Sequence, residues 1–333
     1  MPGAQNRRHQ HSLYPTHPRY KVFDMGILVH LPSFMGVPLT AALREAAPDI
    51  AVWNGRENAP AGEVEAILAW GLNPGVIPAF PNLRLVQAAA AGVDKLLAAP
   101  DLPPDMPVAR IVDPGQQTGI AHYVLAMALQ HTRELAAYAE QQRRGEWKRH
   151  RARDVARCRV GVLGMGEIGS AVARVFAAIG YPVAGWSRGA KRIPGVTDYA
   201  GADGLAAMLA VSDILVCTLP LTPQTHGLLN RETLSQLPAG AFVINVGRGE
   251  HLVEPDLIAL LDEGHLAGAA LDVFAKEPSE PGDPVWNHPR IVATPHIACD
   301  PSYELVARQC IDNLRRARAG QPLLNLVDRA AGY

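Results

Sequence analysis

The chain has 333 residues, a formal net charge of −1, 48% hydrophobic residues and 19% charged residues. This length is enough for two domains with buried cores. The balanced charge creates no large field of one sign, which argues against a nucleic acid or a membrane surface as partner. No apolar run approaches the length of a bilayer span and no apolar leader opens the chain, so we expect a cytoplasmic globular protein.

The first 20 residues are polar and rich in Pro, Arg and His, which predicts a flexible arm over 1–20. His9, His11 and His17 lie in this arm, and a disordered tail accounts for them better than a metal site does. No metal site is predicted elsewhere. The four cysteines are scattered without metal-ligand or redox spacing, which favours reduced thiols.

From Gly26 onwards, short apolar runs alternate with helical segments. The predicted strands cover 27–31, 50–53, 66–70, 83–87 and 108–112, with a helix over 39–47. This alternation predicts a parallel α/β sheet. The small residues of 88–94 follow the fourth strand and would let a ligand approach the backbone, although a tightly packed loop explains them equally well. A single long helix over 118–144 would then carry the chain into the next domain.

The stretch 158–188 reads CRVGVLGMGEIGSAVARVFAAIGYPVAGWSR. Gly164, Gly166 and Gly169 follow an apolar strand at G-x-G-x-x-G spacing and precede an amphipathic helix. Gly164 permits a tight turn, Gly166 lets the backbone approach a pyrophosphate, and Gly169 lets the helix pack on the strand. The free N–H groups at the helix start would face the anion. A turn without a ligand is the alternative, but the flanking strand and helix favour dinucleotide binding.

The end of the second strand carries the residues that select the cofactor. An NAD site would have an acid about 20 residues beyond the glycines, for the ribose 2′-hydroxyl. This chain has Ser187 and Arg188 there, followed by Lys191 and Arg192. A hydroxyl and cations attract a 2′-phosphate. We therefore expect NADP(H) as the preferred cofactor and NAD(H) as an accepted one; a solvated basic loop is the alternative.

The α/β alternation continues, with predicted strands over 213–219, 241–246, 267–273 and 291–293, a helix beginning in 257–261, and a last helix over 303–318. Arg248, Glu277 and His296 each come just after one of these strands. Strand ends converge on the cofactor crevice of a doubly wound sheet, so these side chains can meet. Arg suits a bidentate carboxylate clamp, and a His beside a carboxylate has its charged form favoured. A surface cation, a loop charge and a structural histidine are the competing interpretations.

Four segments together resemble one known family. VGVLGMGEIG, INVGRGEHL, LDVFAKEP and TPHIA are similar to motifs of the D-2-hydroxyacid dehydrogenases, over about residue 26 to the C-terminus. WSR, VDPGQQ and the terminal VDRAAGY resemble the glyoxylate/hydroxypyruvate reductase A subgroup. The resemblance implies a Rossmann NAD(P)-binding domain (118–298) inserted in a flavodoxin-like substrate domain (21–117 with 299–333). It also implies a homodimer formed through the Rossmann domain.

The resemblance implies a role for each site residue. Arg248 would bind the substrate carboxylate and polarise the ketone, His296 would be the general acid/base, and Glu277 would orient it. Asp272 would hold the nicotinamide carboxamide. Residues implied to bind the cofactor are Gly164, Met165, Gly166, Glu167, Ile168, Gly169, Trp186, Ser187, Arg188, Lys191, Leu219, Pro220, Thr225, Val246, Gly247, Arg248, Asp272 and His296. Those implied to bind the substrate are Trp70, Ala91, Gly92, Val93, Arg248 and His296.

The chain departs from the family pattern at His122, where a glutamate is usual, and this leaves the packing or hinge role of that position open. The expected activity is NADPH-dependent reduction of small 2-keto acids, glyoxylate and hydroxypyruvate first. Two alternatives stay open. One is a dinucleotide-sensing binding protein on the same fold, and the other is a reductase of bulkier keto acids such as phenylpyruvate.

Overall fold

The computed structural model describes residues 26–151 and 153–333. The arm predicted over 1–20, with its three histidines, lies outside these residues. Within the described residues, five strands form one parallel sheet and seven strands form a second parallel sheet. The predicted class, two doubly wound parallel α/β domains, is confirmed.

The first sheet has the flavodoxin-like strand order β2-β1-β3-β4-β5. Its strands are β1 (Gly26–His30), β2 (Ala51–Asn54), β3 (Val64–Ala69), β4 (Leu85–Ala88) and β5 (Val108–Ala109). Helix α1 (Ser33–Ala46) follows β1, and the short helix α2 (Asp94–Leu97) follows β4. The strands are buried on both faces, as expected for a parallel sheet covered by helices.

The second sheet has the order β12-β11-β10-β9-β6-β7-β8, which is the Rossmann order with one added strand. Its strands are β6 (Val160–Leu163), β7 (Val183–Ser187), β8 (Val196–Ala200), β9 (Ile214–Cys217), β10 (Ala241–Asn245), β11 (Leu266–Leu271) and β12 (Ile291–Ala293). The remaining helices are α3 (Pro114–Thr132), α4 (Leu135–Arg143), α5 (Glu167–Ala178), α6 (Gly201–Leu209), α7 (Arg231–Leu234), α8 (Glu254–Asp262) and α9 (Tyr303–Arg318).

Helix packing joins the ends of the chain to the two sheets. Val306, Cys310 and Leu314 of α9 share a buried apolar cluster with Leu39 and Leu43 of α1, so the C-terminal helix returns to the first sheet. Helix α3 packs against α5 and β10 of the second sheet. The domain limits predicted from the sequence stay a prediction.

The single helix predicted over 118–144 is wrong. The chain leaves helical geometry at Glu134, whose φ is +54°, and this separates α3 from α4. Glu134 binds His150 Nδ1 through its carboxylate, and the Tyr138 hydroxyl accepts from the His150 N–H at 2.8 Å. The segment around His150 therefore folds back onto α4, which requires α4 to leave the axis of α3. No Gly or Pro marks this break in the sequence.

The strand predicted over 108–112 ends at Ala109 because the C-terminal segment takes over its hydrogen bonds. The Arg110 N–H donates to the Asn325 carbonyl at 3.0 Å. The Gln309 side chain of α9 bonds both backbone groups of Val112, at 3.3 and 2.7 Å. Helix α8 begins earlier than predicted, at Glu254, with Pro255 in its first turn.

Candidate active site

The glycine-rich turn between β6 and α5 has the geometry that a dinucleotide requires. Gly164 has φ +92°, in the region that favours glycine. A Cβ on Gly169 would lie 1.8 Å from the Gly164 carbonyl oxygen, so only glycine lets α5 pack this closely on the turn. A Cβ on Gly166 would meet no atom within 4 Å, so the space at the N-terminus of α5 is open. The turn therefore fits a pyrophosphate at the start of a 12-residue helix.

The other residues predicted in this turn differ in what they can offer. Met165 is 2% exposed and its sulfur packs against Gly185, so only its backbone faces the turn. Glu167 is exposed in the first turn of α5, and Ile168 is partly buried against the core.

The basic loop after β7 is held by Asp198 of β8. The Asp198 Oδ2 atom accepts from the N–H groups of Lys191 and Arg192 at 3.1 and 2.6 Å. The Ser187 hydroxyl donates to the Gly189 carbonyl at 2.7 Å. The side chains of Arg188, Lys191 and Arg192 are exposed, so the loop presents its cations to solvent beside the strand end. Trp186, just before them, donates through Nε1 to the Gly201 carbonyl at 2.8 Å.

The loop after β9 is closed by Thr225. Its hydroxyl donates to the Pro220 carbonyl at 2.7 Å and accepts from the Thr222 N–H at 2.8 Å. Leu219 is 7% exposed and anchors the loop in the core. The three residues of this loop that are predicted to line the cofactor, Leu219, Pro220 and Thr225, therefore lie together in one hydrogen-bonded turn. This turn is next to the Gly164 turn, because a Cβ on Gly164 would lie 3.1 Å from the Leu219 nitrogen.

His251 joins that loop to the one carrying Arg248. The Arg248 N–H donates to His251 Nδ1 at 3.0 Å, which leaves the ring proton on Nε2, 3.2 Å from the Pro220 carbonyl. Burial lowers the pKa of His251, so the fully buried ring is neutral. Gly247 is buried against this ring, and Val246 is partly buried beside it.

The Arg248 guanidinium reaches from the second domain into the first. Its Nε donates to Asp94 Oδ1 at 3.0 Å and its Nη1 donates to the Gly247 carbonyl at 2.9 Å. Its Nη2 lies so close to the Gly92 backbone that a Cβ there would be 1.6 Å away. Asp94 is at the start of α2, so this ion pair fixes the guanidinium against the loop after β4. The neighbouring predicted residues, Ala91 and Val93, are half-buried and buried.

Glu277 and His296 form the expected pair. His296 Nδ1 lies 2.9 Å from Glu277 Oε2, and the other Glu277 oxygen accepts from the Phe274 N–H at 3.0 Å. Burial opposes the charge on Glu277, but His296 and the Phe274 N–H outweigh it, and the pKa of Glu277 lies below its ordinary value. The positive charge of Lys95 also lowers the pKa of Glu277, so α2, which carries Lys95, lies near this side of the site as well.

Asp272 holds the loop that carries His296. Its buried carboxylate accepts from the Thr294 hydroxyl at 2.6 Å and from the Ile297 and Ala298 N–H groups at 2.8 Å each. His296 itself has φ +56°, a strained conformation for a residue with a side chain. Bonds on both sides of it keep the ring on Glu277. The role predicted for Asp272, binding the nicotinamide carboxamide, stays a prediction.

The Tyr123 hydroxyl of α3 extends this network, 2.6 Å from the Thr294 hydroxyl. The Thr294 hydroxyl donates its own proton to Asp272, so the Tyr123 hydroxyl is the donor to Thr294. Burial raises the pKa of Tyr123 to about 12. His122, its neighbour in the chain, is exposed on α3.

The two catalytic loops touch through glycine. A Cβ on Gly249 would lie 1.8 Å from the Phe274 carbonyl carbon, so the Arg248 loop and the Glu277 loop meet backbone to backbone.

Trp70 is 36% exposed and stacks edge-on with Phe34 at 6.2 Å. It precedes Gly71, where a Cβ would lie 3.3 Å from Lys95 Cβ, so Trp70 belongs to the same edge of the first sheet.

Sequence reasoning did not assign Asp94, His251, Asp198 or Lys95. Asp94 ends the small-residue segment 88–94, whose pattern fits a ligand loop and a tightly packed loop equally well, and its carboxylate is the available signal. The role of His251 depends on two loops meeting, which no local pattern indicates. Among the described residues, no cluster of His, Cys, Asp and Glu is arranged to hold a metal ion.

A Rossmann sheet with a dinucleotide turn, facing an Arg and a Glu–His pair at neighbouring strand ends, defines an NAD(P)-dependent oxidoreductase. Residues 125–298 match the family model described as D-isomer specific 2-hydroxyacid dehydrogenase, NAD binding domain. The chain is 35% identical over 316 residues to glyoxylate/hydroxypyruvate reductase A of Yersinia enterocolitica, covering 93% of this chain and 100% of that protein. The chain belongs to the D-isomer-specific 2-hydroxyacid dehydrogenase family.

Two solved structures are similar over nearly the whole chain. A D-isomer-specific 2-hydroxyacid dehydrogenase from Xanthobacter autotrophicus, in complex with NADPH and MES, has TM-score 0.88 and 41% identity, covering 93% of this chain and 100% of that one. An NADPH-dependent glyoxylate/hydroxypyruvate reductase from Sinorhizobium meliloti, in complex with NADP and sulfate, has TM-score 0.87 and 34% identity, with the same coverage. Within the described residues, no helix is long and apolar enough to cross a membrane.

Proposed function

We propose that the protein reduces small 2-keto acids, with glyoxylate and hydroxypyruvate as the first substrates and NADPH as the preferred cofactor. The relatives named above as glyoxylate/hydroxypyruvate reductases support the substrate class, and the NADPH and NADP complexes support the cofactor. The exposed cations of the loop after β7 independently support NADPH as the cofactor, since cations attract a 2′-phosphate. NADH is an accepted but poorer cofactor.

The observation that carries this proposal is the placement of Arg248. Its guanidinium crosses from one domain to the other and lies against the Gly92 backbone, with Asp94 holding its Nε. A carboxylate placed beside the contact between Gly92 and Arg248 would receive backbone N–H and guanidinium donors together. Such a clamp recognises a 2-keto acid and places its ketone beside the Glu277–His296 pair, whose loop packs on Gly249.

The reaction then needs a proton donor and a stabiliser of negative charge. NADPH, when bound, supplies the hydride to C2 of the keto acid. His296 donates a proton to the ketone oxygen, and Glu277 holds the ring through Nδ1, which leaves Nε2 for the substrate. Arg248 is positive throughout and stabilises the developing oxyanion. Asp272 acts through the loop, by holding the backbone on either side of His296.

The test is a steady-state screen of 2-keto acids with NADPH and NADH. Saturable NADPH oxidation with glyoxylate and hydroxypyruvate is expected, with a higher kcat/KM than with NADH. His296→Ala is the matched control, because it removes the proton donor and leaves the cofactor turn intact. Equal kcat/KM with both cofactors contradicts the cofactor assignment. Turnover of phenylpyruvate with none of glyoxylate assigns the chain to bulkier substrates.

The protein is proposed to act as a homodimer through the segment 135–149. Trp147 is 98% exposed and Leu135 is 53% exposed, beside a groove of about 670 Å³ that Tyr138 and Gln141 also line. An indole in open solvent at such a groove fits burial by a second copy. The segment extends from α4, which contacts α3, and α3 packs on the Rossmann sheet, so this interface is consistent with dimerisation through that domain.

Sedimentation velocity tests this assembly. The parent chain is expected to sediment as a dimer, and Trp147→Ser is expected to shift it towards monomer. Ile179→Ser, at another exposed apolar side chain at the end of α5, is the control. A monomeric parent, or a Trp147→Ser dimer of unchanged affinity, contradicts this interface.

The cytoplasm is the proposed location, because all four cysteines are free thiols.

A further inference from the structure

The last seven residues, 327–333, form a tail that is fixed at its start to the first domain. Val327 is 5% exposed, and its N–H donates to the Val108 carbonyl of β5 at 2.8 Å. The Arg329 Nη1 atom donates to three carbonyls of the loop 103–106, at 2.5 to 3.3 Å. The beginning of the tail is therefore anchored on the substrate domain.

The end of the tail reaches the second domain. Asp328 folds it into a turn, because its Oδ1 accepts from the Ala330 and Ala331 N–H groups at 3.0 Å each. A Cβ on Gly332 would lie 3.2 Å from Thr222 Cγ2, so the turn rests on the loop that Thr225 closes. The tail thus crosses from one domain to the cofactor side of the other.

Tyr333 contacts Arg188, one of the cations predicted to bind the 2′-phosphate. The Arg188 guanidinium carbon lies 4.9 Å from the centre of the Tyr333 ring, and Arg188 Nη2 donates to the Tyr333 hydroxyl. Arg188 is exposed and follows directly on β7. A long exposed Arg side chain loses rotamer freedom when it binds an anion. Stacking on an aromatic ring restricts the side chain in advance.

We propose that Tyr333 is a positioning residue for Arg188, and that through it the C-terminal tail sets the preference for a 2′-phosphorylated dinucleotide. This rests on the proposed use of NADPH. The bond to Tyr333 occupies one of the five N–H donors of the guanidinium, so the others stay available for phosphate oxygens. The ring contact and the bond to the hydroxyl together restrict the guanidinium on the side that faces Tyr333.

Calorimetric binding of two cofactor fragments tests the proposal without turnover. Adenosine 2′,5′-bisphosphate carries the phosphate in question and 5′-AMP lacks it. Tyr333→Ala is expected to weaken the bisphosphate about five- to tenfold, from loss of the stack and of a hydrogen bond to a charged group, and to leave AMP unchanged. Tyr333→Phe keeps the ring and is expected to retain most of the bisphosphate affinity. Any purification tag is placed at the N-terminus, away from Tyr333.

Kinetics supply a second readout. Tyr333→Ala is expected to raise the KM for NADPH with kcat unchanged and the KM for NADH unchanged. Arg329→Ala, which frees the tail at its anchor, is expected to act in the same direction. A general structural defect would instead lower kcat or affect both cofactors.

A double-mutant cycle with Arg188→Ala decides whether Tyr333 acts through Arg188. Arg188→Ala alone is expected to weaken bisphosphate binding selectively, by roughly 10- to 100-fold, because a hydrogen bond between charged groups is lost. Adding Tyr333→Ala to it is expected to cause no further loss. If the parent prefers the bisphosphate, three results would overturn the proposal. The losses of affinity in the two single variants could add up in the double variant, Tyr333→Ala could weaken both fragments equally, or Tyr333→Ala could bind the bisphosphate as tightly as the parent does. A parent with no such preference would overturn the NADPH assignment itself.

Discussion

Neighbouring groups, more than its own backbone, determine where Arg248 points. Asp94 binds Nε, the Gly247 carbonyl binds Nη1, and Nη2 remains against Gly92. The guanidinium of arginine is planar and carries donors on three nitrogens, so Nε, Nη1 and Nη2 can contact three different groups at once. A lysine at this position keeps the charge and cannot reproduce the arrangement.

Arg248→Lys is therefore expected to lower kcat/KM for keto acids by about 10²-fold or more, the cost of losing several kcal/mol of charged hydrogen bonding. The dissociation constant of NADPH, measured by fluorescence titration, should change far less. Arg231→Lys is the matched control, because Arg231 binds Glu263 through an exposed pair at 2.7 Å. Near-normal keto-acid kinetics in Arg248→Lys would remove Arg248 from the substrate site.

At the scale of single residues, the sequence predicts the charged residues of the site but not the residues that hold them in place. Arg248, Glu277 and His296 were expected to converge because each follows a strand of a parallel sheet, and the structure places Glu277 and His296 in contact. Asp94 is 154 positions away from Arg248 in the chain, so only the packing of two domains brings them together. Tyr333 and Arg188, 145 positions apart, meet for the same reason.

At the scale of elements, Gly249 allows the two catalytic loops to touch. A side chain there would collide with the Phe274 backbone at 1.8 Å, and backbone cannot move aside as a flexible side chain can. Gly249→Ala is expected to separate Arg248 from the Glu277 loop and to lower kcat/KM for keto acids by about tenfold or more, since small displacements at a site are costly.

Gly62→Ala is the control for this change, because a Cβ on Gly62 would meet no atom within 4 Å. Its activity and melting temperature should stay within experimental error of the parent, or rise slightly. Full keto-acid activity in Gly249→Ala, measured under the same conditions, would show that the loops do not need this contact.

Helix α3 is packed on the second sheet through a neutral histidine. His131 stacks on Phe242 of β10 at 4.2 Å, and its buried Nε2 has no hydrogen-bond partner within residues 26–151 and 153–333. Burial lowers the pKa of His131 to about 4, with a further contribution from the Arg153 charge. The unfolded chain therefore takes up this proton at higher pH than the folded protein does.

Because the folded-state pKa is lowered, the stability associated with His131 is fully present above about pH 6.5 and is lost as pH falls towards about 4. His131→Phe keeps the stack and removes the proton site. Denaturant unfolding between pH 7 and pH 4 should therefore show a smaller loss of free energy in His131→Phe than in the parent. His122→Gln, on the exposed side of the same helix, should behave as the parent does. Identical pH dependence in all three chains would contradict this.

The ends of elements followed from the sequence where composition changes sharply. The last helix was predicted over 303–318 and the last strand over 291–293, and both have these limits. The break between α3 and α4 was not predictable, because helical periodicity continues through Glu134 and the cause is a distant contact with His150. Strand β8 has no buried residue, so it lacks the apolar run that marks the other strands, and it was not predicted. Helix α6 was not predicted either.

At the scale of the whole molecule, the two strand orders follow from alternation of strands and helices, which requires crossover connections and parallel sheets. The relative placement of the sheets does not follow from periodicity. It is defined by contacts such as the Arg248–Asp94 ion pair and the tail that ends on Arg188. These contacts sit at the cleft, so the residues that join the domains are also those proposed to bind substrate and cofactor.

In the proposed mechanism, His296, held by Glu277, moves the proton in keto-acid reduction. Reduction needs the protonated ring, so its rate must fall as pH rises, and oxidation of the hydroxy acid needs the neutral ring, so its rate must rise over the same range. Glu277 is ionised there because its pKa lies below the ordinary value, and its charge favours the protonated ring.

The decisive measurement is kcat/KM for glyoxylate reduction against pH, at saturating NADPH, for the parent, Glu277→Gln and His296→Ala. The reductive profile of Glu277→Gln should break at lower pH than that of the parent, with lower activity at neutral pH. His296→Ala should lose roughly 10²–10⁴-fold in rate. An unmoved break in Glu277→Gln, or most of the rate retained in His296→Ala, would contradict the account.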